Sequence, residues 1–387
     1  KLDNLDNIDF ADISDLKSLK NNIFFTSNLD DIKNADYYIV TVPTPINQAL
    51  KPDLSHLIDA SKIIGQSMKK GSVVIYESTV YPGATEEICI PILEEKSGLV
   101  LSKDFGVGYS PERINPGDTE HTLANVNKLI SAENSTTLKK VRQLYKKIIT
   151  AQIIEASSIK VAETSKVIEN TQRDLNIGLM NELSMICNKL NIDTMEVINA
   201  ASSKWNFMPF KPGLVGGHCI SVDPYYLTHR AMLEGFSPEI ILAGRRVNDN
   251  MWKLVIENTL KLMTKSGSEI TGAKVGIMGM TFKEDCSDFR NSQVLKIYTE
   301  LIKYKMTVDI FDPMVDTAEF FEKFGIHLTS WEKMVDLDVL IIAVPHKLFK
   351  NITNEEIKNT LNRNGCIIDI KSFLEVSQFN NIPFWKL

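Results

Sequence analysis

The sequence contains few cysteines, and none of them is placed for pairing. Five cysteines are scattered over 387 residues, and no C-x-x-C element occurs among them. An odd number at wide spacing is neither a disulfide framework nor a zinc-binding motif, and it is typical of a reducing compartment. We therefore expect a cytoplasmic protein with no metal site, in which one thiol is reactive and the others are buried.

Two further absences narrow the choice of partner. The formal net charge is −6, so the chain has no excess of positive charge with which to bind nucleic acid. No apolar stretch approaches the roughly 18–20 residues that a membrane-spanning helix needs. A hydrophobic content of 43% is that of a globular protein, and the length suits two or three domains. These values favour a small-molecule partner over nucleic acid or a membrane.

The C-terminal part of the sequence alternates apolar strands with helices. Strands are predicted at residues 274–278, 307–311, 339–344 and 366–370, and an amphipathic helix over residues 291–304. Nearly continuous apolar strands separated by helices predict a parallel sheet that is covered on both faces.

The N-terminal part repeats this pattern but lacks its beginning. Residues 26–43 resemble residues 329–345, since both carry Thr-Ser, a short helical stretch, an Asp, an apolar strand and a Pro. Thr329 lies 55 residues after Lys274, whereas only 25 residues precede Thr26, and no G-x-G-x-x-G motif occurs anywhere. We therefore expect a first strand–helix–strand, with any glycine-rich dinucleotide turn, to be missing from this chain. A divergent half-domain is the alternative.

A long helix is predicted between the two parts. Residues 157–190 contain one Gly and no Pro, and would form a helix about 50 Å long at ~1.5 Å per residue. Its apolar stripe consists of Ile168, Leu175, Leu179, Leu183, Ile186 and Leu190. A helix of this length typically bridges two domains and builds a dimer interface, so we expect a homodimer.

The segment 211–227 (KPGLVGGHCISVDPYYL) places a cysteine in a glycine-rich turn. Its glycines allow the backbone to pass close to a ligand; they are Gly213, Gly216 and Gly217. Cys219 follows directly, and Asp223 is near enough to orient a thiol or a water. The adjacent pair of His218 and Cys219 does not suit zinc, because neighbouring residues rarely bind one metal. The alternative is a buried cysteine in a turn.

A polar stripe is predicted on the long helix. Lys166, Asn170 and Arg173 are spaced at i, i+4 and i+7, which places them on one face. The stripe is either part of a binding site or an ordinary solvated face.

Polar segments also follow the N-terminal strands, at residues 42–44, 77–80 and 109–113. Open parallel sheets bind ligands at the carboxyl ends of their strands, so we expect these tips to converge on one crevice. Glu112 in the third segment is suited to act as a general base. Ordinary turn and cap chemistry is the alternative.

A further polar segment, residues 279–292 (GMTFKEDCSDFRNS), follows the first C-terminal strand. It has one Gly where a dinucleotide loop has three. Lys283 and Arg290 suit a phosphate bound at the start of the following helix.

In their order along one chain, these motifs resemble the UDP-glucose/GDP-mannose dehydrogenase superfamily. The resemblance covers essentially the whole sequence except the glycine-rich NAD loop. GGHC with VDPYYL, ESTVYPGATEE, YSPERINPGD and ENTQRDLN are similar to the branch of UDP-N-acetylglucosamine and UDP-N-acetylgalactosamine 6-dehydrogenases of capsule and O-antigen pathways. UDP-glucose members typically have GGSC followed by FPKD. Ser221 departs from the Pro of many relatives, which bears on the rigidity of the loop.

The resemblance implies an α/β fold with two Rossmann-like, doubly wound parallel-sheet domains joined by a long central helix. It places an NAD-binding domain, incomplete at its N-terminus, at residues 1–156. A central helical domain for dimerisation and substrate binding, with the cysteine loop, covers residues 157–265. A UDP-binding domain covers residues 266–387. NAD is the implied cofactor, and a UDP-N-acetylhexosamine is the implied partner.

The implied reaction is a four-electron oxidation of the sugar C6 hydroxyl to the carboxylate. An aldehyde cannot donate a second hydride until a nucleophile adds to it, and the Cys219 thiolate would supply a thiohemiacetal and then a thioester. Lys166 and Asn170 match the family positions that stabilise the developing alkoxide, and Lys166 would favour the thiolate.

Hydrolysis of the thioester requires an activated water. By the same resemblance Glu112 is its base, Thr79 helps to hold the water, and Asp223 supports the network of thiol and water.

The resemblance also implies the ligand contacts. It assigns NAD binding to Val42, Pro43, Thr44, Thr79 and Arg290. It assigns binding of the UDP-sugar to Lys283, Phe210, Lys211, Gly216 and Arg245.

Three alternatives stay open from the sequence. The sugar is N-acetylglucosamine or its C4 epimer, or the chain oxidises UDP-glucose or UDP-N-acetylmannosamine instead. Without an NAD loop, the protein would be a nucleotide-sugar-binding module that has lost catalysis.

Overall fold

The computed structural model describes residues 22–47, 49–114 and 120–387. They form two compact units. The first contains the described residues through Glu169 together with Tyr225–Phe236, and the second contains Asn170–Pro224 and Ser237–Leu387. The prediction that a first strand–helix–strand is missing concerns the start of the sequence, and residues 1–21 lie outside the described residues. The two domain boundaries predicted after residues 156 and 265 stay predictions.

The first unit is built on a five-stranded sheet in the order β1-β2-β3-β4-β5. Its strands are β1 Tyr37–Val40, β2 Val73–Tyr76, β3 Gly106–Tyr109, β4 Lys128–Ala132 and β5 Ile153–Glu155. The pairs β1–β2, β2–β3 and β4–β5 are parallel, whereas β4 runs antiparallel to β3. The carboxyl ends of β1, β2 and β3 therefore share one edge with the amino end of β4.

Helices α1 Ser55–Ser67, α2 Ile90–Ser97 and α3 Ser135–Tyr145 belong to this unit, and a π-helical turn at Thr85–Cys89 precedes α2. Local sequence sets their ends. The Asn134 side chain accepts hydrogen bonds from the amides of Thr136 and Thr137 at the start of α3. Gly98 ends α2 in the left-handed region, with φ 68°.

The predicted long helix is confirmed as α4, Ile159–Leu190, which at ~1.5 Å per residue is about 48 Å long. Its residues through Glu169 belong to the first unit and those from Asn170 to the second. Helices α5 Thr194–Ala201, α6 Asp223–Leu233 and α7 Glu239–Ser266 follow. Within the described ranges, every helix is too short or too polar to cross a lipid bilayer.

The second unit contains a wholly parallel sheet in the order β10-β9-β8-β6-β7. Its strands are β6 Lys274–Met278, β7 Thr307–Phe311, β8 Leu337–Ile342, β9 Leu361–Asp369 and β10 Phe384–Lys386. Its connections contain helices α8 Val294–Lys303, α9 Thr317–Phe324 and α10 Asn354–Asn359, and short 3₁₀ turns at Trp331–Lys333, Lys347–Asn351 and Val376–Phe379.

Both faces of this second sheet are buried. Ile277 and Ile341 pack with α8 on one face, and Met278 and Ile342 pack with Phe349 on the other. The predicted doubly wound α/β architecture is confirmed. The strands predicted at 274–278 and 307–311 have the observed bounds, whereas β8 lies two residues earlier than predicted and β9 begins five residues earlier.

The predicted helix over 291–304 begins three residues late, at Val294. Asn291 has a φ of 54°, which a right-handed helix does not accommodate. The hydroxyl of Ser292 then accepts a hydrogen bond from the Val294 amide at 3.2 Å.

Candidate active site

The carboxyl edge of the first sheet holds the predicted strand tips together. The Thr44 hydroxyl donates a hydrogen bond to the Thr79 carbonyl at 2.7 Å, and the Ser78 hydroxyl donates to the Val42 carbonyl at 2.6 Å. Pro43 lies between these two connections. The segments after β1 and β2 thus form one polar surface, and its assignment to NAD binding stays a prediction.

Hydrogen bonds join the turn after Thr79 to a carboxylate of α4. This contact is not predicted from the sequence. Glu163 is fully buried and accepts hydrogen bonds from the amides of Gly83, at 2.5 Å, and Thr85, at 3.0 Å. Burial is the main cause that raises the pKa of Glu163 to about 7. Lys166 follows one turn later on the same helix. The sequence signals this contact only weakly, because the partners of Glu163 are backbone amides.

Glu112 lies in the segment after β3 and is half-buried. Its carboxylate accepts a hydrogen bond from the amide of Ile114, so it also caps its own loop. The neighbouring Arg113 pairs with Glu169 of α4. Residues 115–119 of the predicted motif lie outside the described residues. The role of Glu112 as a base stays a prediction.

The polar stripe predicted on α4 is not uniform. Lys166 is half-buried in the first unit, Asn170 is buried in the second, and Arg173 is exposed. A solvated face therefore describes Arg173 but not Asn170.

Cys219 differs from the other cysteines in its surroundings. All five lie in the described part of the chain, and Cys219 is exposed whereas the other four are buried. Burial raises the pKa of Cys89 and of Cys366 to about 12, so these thiols are inert. The alternative of a buried cysteine in a glycine-rich turn is wrong.

Asp223 anchors the cysteine loop within the second unit. Its amide donates a hydrogen bond to the Cys219 carbonyl at 2.9 Å, and its carboxylate accepts one from the Asn170 side chain at 2.6 Å. Asp223 and Asn170 are both buried. The structure thus joins three of the predicted catalytic residues through α4 and the first residue of α6.

Two glycines of the loop allow a close approach of backbone to another segment of the protein. A Cβ atom on Gly217 would lie 2.7 Å from the Phe282 ring, and one on Gly216 would lie 2.7 Å from the Asn291 carbonyl oxygen. Gly217 also has a φ of 83°. The close approach that these positions allow is therefore to the segment after β6, within the protein. Contact of Gly216 with substrate stays a prediction.

The segment after β6 carries two predicted phosphate-binding cations. The Lys283 Nζ lies 5.6 Å from the centre of the Phe282 ring. The exposed Arg290 donates through Nε and Nη2 to Asp288, at 2.9 and 2.7 Å. Contacts of Lys283 with UDP and of Arg290 with NAD stay predictions.

A buried histidine that the sequence did not reveal holds the Lys283 segment. His346, after β8, accepts a hydrogen bond at Nδ1 from the Asp285 amide at 3.0 Å. Its Nε2 lies 3.1 Å from the carboxylate of Asp312, after β7. The Nδ1 acceptor leaves Nε2 as the protonated nitrogen, so the Asp312 contact is a donated hydrogen bond. The sequence indicates this contact only weakly, through the positions of Asp312 and His346 after the ends of two predicted strands.

Three other residues predicted to bind substrate differ from one another in their exposure. Phe210 is half-buried, and Lys211 is exposed. Arg245 is only 2% exposed, and its guanidinium pairs with Asp174, at 2.5 Å, and with Asp249. Binding of substrate by these three residues stays a prediction.

Across the described ranges, no group of three or more His, Cys, Asp or Glu side chains is arranged to hold a metal ion. Within the second unit, this arrangement offers an exposed thiol on a loop that is held by a buried carboxylate–amide pair.

Comparison with known proteins gives matches along almost the whole chain. Three models of the UDP-glucose/GDP-mannose dehydrogenase family match it: the NAD binding domain at residues 12–149, the central domain at 160–250 and the UDP binding domain at 276–376. The UDP-N-acetyl-D-glucosamine 6-dehydrogenase of Salmonella typhi is 52% identical over 92% of this chain and 83% of its own.

Two further relatives agree with these matches. The UDP-N-acetyl-D-glucosamine 6-dehydrogenase of Pseudomonas aeruginosa is 51% identical over 92% of this chain and 84% of its own. Among solved structures, a UDP-D-ManNAc dehydrogenase from Pyrococcus horikoshii superposes with a TM-score of 0.87. It is 28% identical, and the match covers 97% of this chain and 86% of that one.

Proposed function

We propose, since this chain belongs to the UDP-glucose/GDP-mannose dehydrogenase family and is an NAD-dependent nucleotide-sugar 6-dehydrogenase, that its substrate is a UDP-N-acetylhexosamine. UDP-N-acetylglucosamine is the first candidate, because two relatives of that name share half of their residues with it. UDP-N-acetylgalactosamine is the second. The product is a UDP-linked uronic acid for surface polysaccharide synthesis.

The observation that carries the proposed four-electron oxidation is the exposed Cys219, whose loop is held by the buried pair of Asn170 and Asp223. Two molecules of NAD⁺, bound in turn, would each accept one of the two hydrides that leave C6. In the first step the C6 carbon loses a hydride and its hydroxyl loses a proton, which gives an aldehyde. Addition of the Cys219 sulfur to this aldehyde gives a thiohemiacetal, whose carbon can lose the second hydride. The resulting thioester reacts with water to release the carboxylate and the free thiol.

Each step requires a group that manages charge or a proton. We assign stabilisation of the C6 alkoxide to the Asn170 amide and the Lys166 ammonium. We assign activation of the hydrolytic water to Glu112, with Thr79 holding that water. Asp223 keeps Asn170 and the cysteine loop in register through the two bonds described above.

The first sheet offers groups that fit a dinucleotide. Hydroxyl and carbonyl groups of the segments after β1 and β2 meet at the edge where open parallel sheets bind ligands. We assign NAD binding to Val42, Pro43, Thr44, Thr79 and Arg290. We assign binding of the UDP-sugar to Lys283, Phe210, Lys211, Gly216 and Arg245.

The stoichiometry of the reaction tests the four-electron route. With limiting UDP-N-acetylglucosamine, we expect two NADH for each sugar, counted by absorbance, and no free aldehyde. The Cys219→Ser variant should lose the complete reaction, whereas Cys187→Ala, which alters a buried thiol of the same unit, should retain it. One NADH with released aldehyde from the intact enzyme would contradict the thioester route.

A substrate panel tests the sugar. UDP-N-acetylglucosamine and UDP-N-acetylgalactosamine should give a higher kcat/KM than UDP-N-acetylmannosamine and UDP-glucose. A preference for either of the latter two would move the chain to another branch of the family.

We further propose that the chain forms a homodimer through α4. Leu179, Ile186 and Leu190 are 58%, 50% and 62% exposed, and their spacing of i, i+7 and i+11 places them on one stripe. Exposed apolar surface of this kind marks interfaces. Sedimentation of a variant with Leu179→Glu and Ile186→Glu should show monomers, and an unchanged dimer mass would place the interface elsewhere.

A further inference from the structure

A buried lysine lies beside the segment that carries Glu112. Lys128 is the first residue of β4, and its side chain is only 4% exposed. Its Nζ donates hydrogen bonds to the Glu77 carboxylate at 3.0 Å, the Pro111 carbonyl at 3.2 Å and the Ser110 carbonyl at 3.5 Å. An ammonium group has three N–H donors, and three acceptors surround it.

The antiparallel direction of β4 places Lys128 at this edge. Gly108 lies opposite Ala132 and Tyr109 opposite Ser131. Continued beyond the paired residues, this register brings position 128 opposite position 112. A parallel β4 would place its first residue at the far edge of the sheet.

The carboxylate partner of Lys128 is itself held in place. Glu77, at the end of β2, is 15% exposed and also accepts a hydrogen bond from the Tyr145 hydroxyl. The Lys128 Nζ lies 5.0 Å from the centre of the Tyr145 ring. A charge buried to this degree is tolerated only when it is paired and hydrogen-bonded, and here both conditions are met.

We propose that Lys128 is a positioning residue for Glu112. It fixes the carbonyls of the two residues directly before Glu112, and the ion pair of Arg113 with Glu169 fixes the residue directly after it. The backbone that carries the Glu112 carboxylate is thus held on both sides. This inference rests on the proposed function, in which Glu112 activates the water that hydrolyses the Cys219 thioester.

Lys128→Met separates positioning from stability, because it keeps the buried stem and removes the three donors. We expect hydrolysis, and with it kcat, to fall at least tenfold, while the rate of the first hydride transfer in a single turnover stays within twofold. A covalent adduct on Cys219 should then accumulate during turnover and appear in the intact mass. Lys139→Met, at an exposed lysine of α3, is the matched control and should behave as the wild type.

Lys128→Arg keeps the charge and guards against failure of the first variant to fold. Its planar fork cannot reach the same three acceptors, so adduct should accumulate to a smaller extent. If both Lys128 variants lose hydride transfer and hydrolysis equally, or lose kcat without adduct, Lys128 has only a structural role.

Glu112→Gln, measured in parallel, distinguishes the two proposals. Adduct with Glu112→Gln but with neither Lys128 variant would overturn the positioning role and leave the base in place. If Glu112→Gln forms no adduct and retains its turnover, Glu112 is not the base, and the positioning role falls with it.

Discussion

Arg113 binds Glu169 with two nitrogens, since its Nε and Nη2 donate to the two separate oxygens of that carboxylate. Arg113 directly follows Glu112, and Glu169 lies three residues after Lys166 on α4. One ion pair therefore connects the segment that carries the proposed base to the helix that carries a proposed oxyanion donor. Both members belong to the first unit.

Removal of this pair should affect catalysis more than stability. Its side chains are 28% and 38% exposed, and such partly exposed pairs contribute at most about 1 kcal/mol to the free energy of unfolding. We expect Arg113→Ala and Glu169→Ala each to reduce kcat several-fold with little change in KM. The double variant should be no slower than the worse single variant, because both changes remove the same interaction.

Steady-state kinetics and urea denaturation of the wild type, the two single variants and the double variant provide the measurement. Additive losses of activity would show that the two residues act separately. A loss of stability of several kcal/mol would show that the pair is mainly a structural contact.

Glu163 should give the enzyme a stability that declines as pH rises. Burial raises its pKa to about 7 in the folded chain from an ordinary value of 4.5. Between these values the native state holds a proton that the unfolded state has released. The contribution is therefore fully present below pH 4.5 and is lost as pH rises through about 7, with an upper bound of about 3 kcal/mol.

Urea denaturation of the wild type and Glu163→Gln at pH 5 and pH 8 measures this contribution. The Gln side chain is neutral at both values, so the stability of the wild type relative to the variant should be lower at pH 8. A difference that does not change with pH would mean that the Glu163 carboxyl titrates near its ordinary value.

Lys283 and Thr44 should affect different ligands. Loss of a charge-assisted contact commonly costs about 1.5–3 kcal/mol, or roughly ten- to a hundredfold in affinity. Lys283→Ala should weaken UDP binding by that order and leave NAD⁺ binding nearly unchanged, whereas Thr44→Val should do the reverse. Calorimetric titration of each variant with UDP and with NAD⁺ measures both effects.

Lys347→Ala is the control for Lys283, because Lys347 is a highly exposed lysine that bonds to the neighbouring Asp285. It should change neither affinity. If Lys283→Ala weakens NAD⁺ binding instead of UDP binding, the two ligands have been assigned to the wrong sheets. If it weakens neither, Lys283 is a surface lysine.

The sequence predicts those features that depend on neighbouring residues. A continuous apolar run was enough to give β6 its observed bounds, and the absence of Pro over residues 157–190 was enough to predict α4. The predicted start of α8 at residue 291 is wrong, because Asn291 adopts a left-handed conformation that the amphipathic pattern does not reveal.

Other features depend on partners far apart in the chain. The partners of Lys128 come from the ends of β2 and β3, and they meet it only because β4 is antiparallel. Glu163 binds backbone amides, which have no signature in the sequence. The family motifs therefore indicated the proposed catalytic residues but not the side chains that hold them in place.

The contact between Gly217 and Phe282 makes two distant segments a single module. Since a methyl group at position 217 has no room against the ring, the shape of the cysteine loop is matched to one aromatic side chain 65 positions later. Chimeras between relatives must therefore exchange residues 213–222 and 281–292 as a set. The loop that carries the proposed nucleophile cannot be re-engineered for a new sugar independently of the segment proposed to bind the nucleotide.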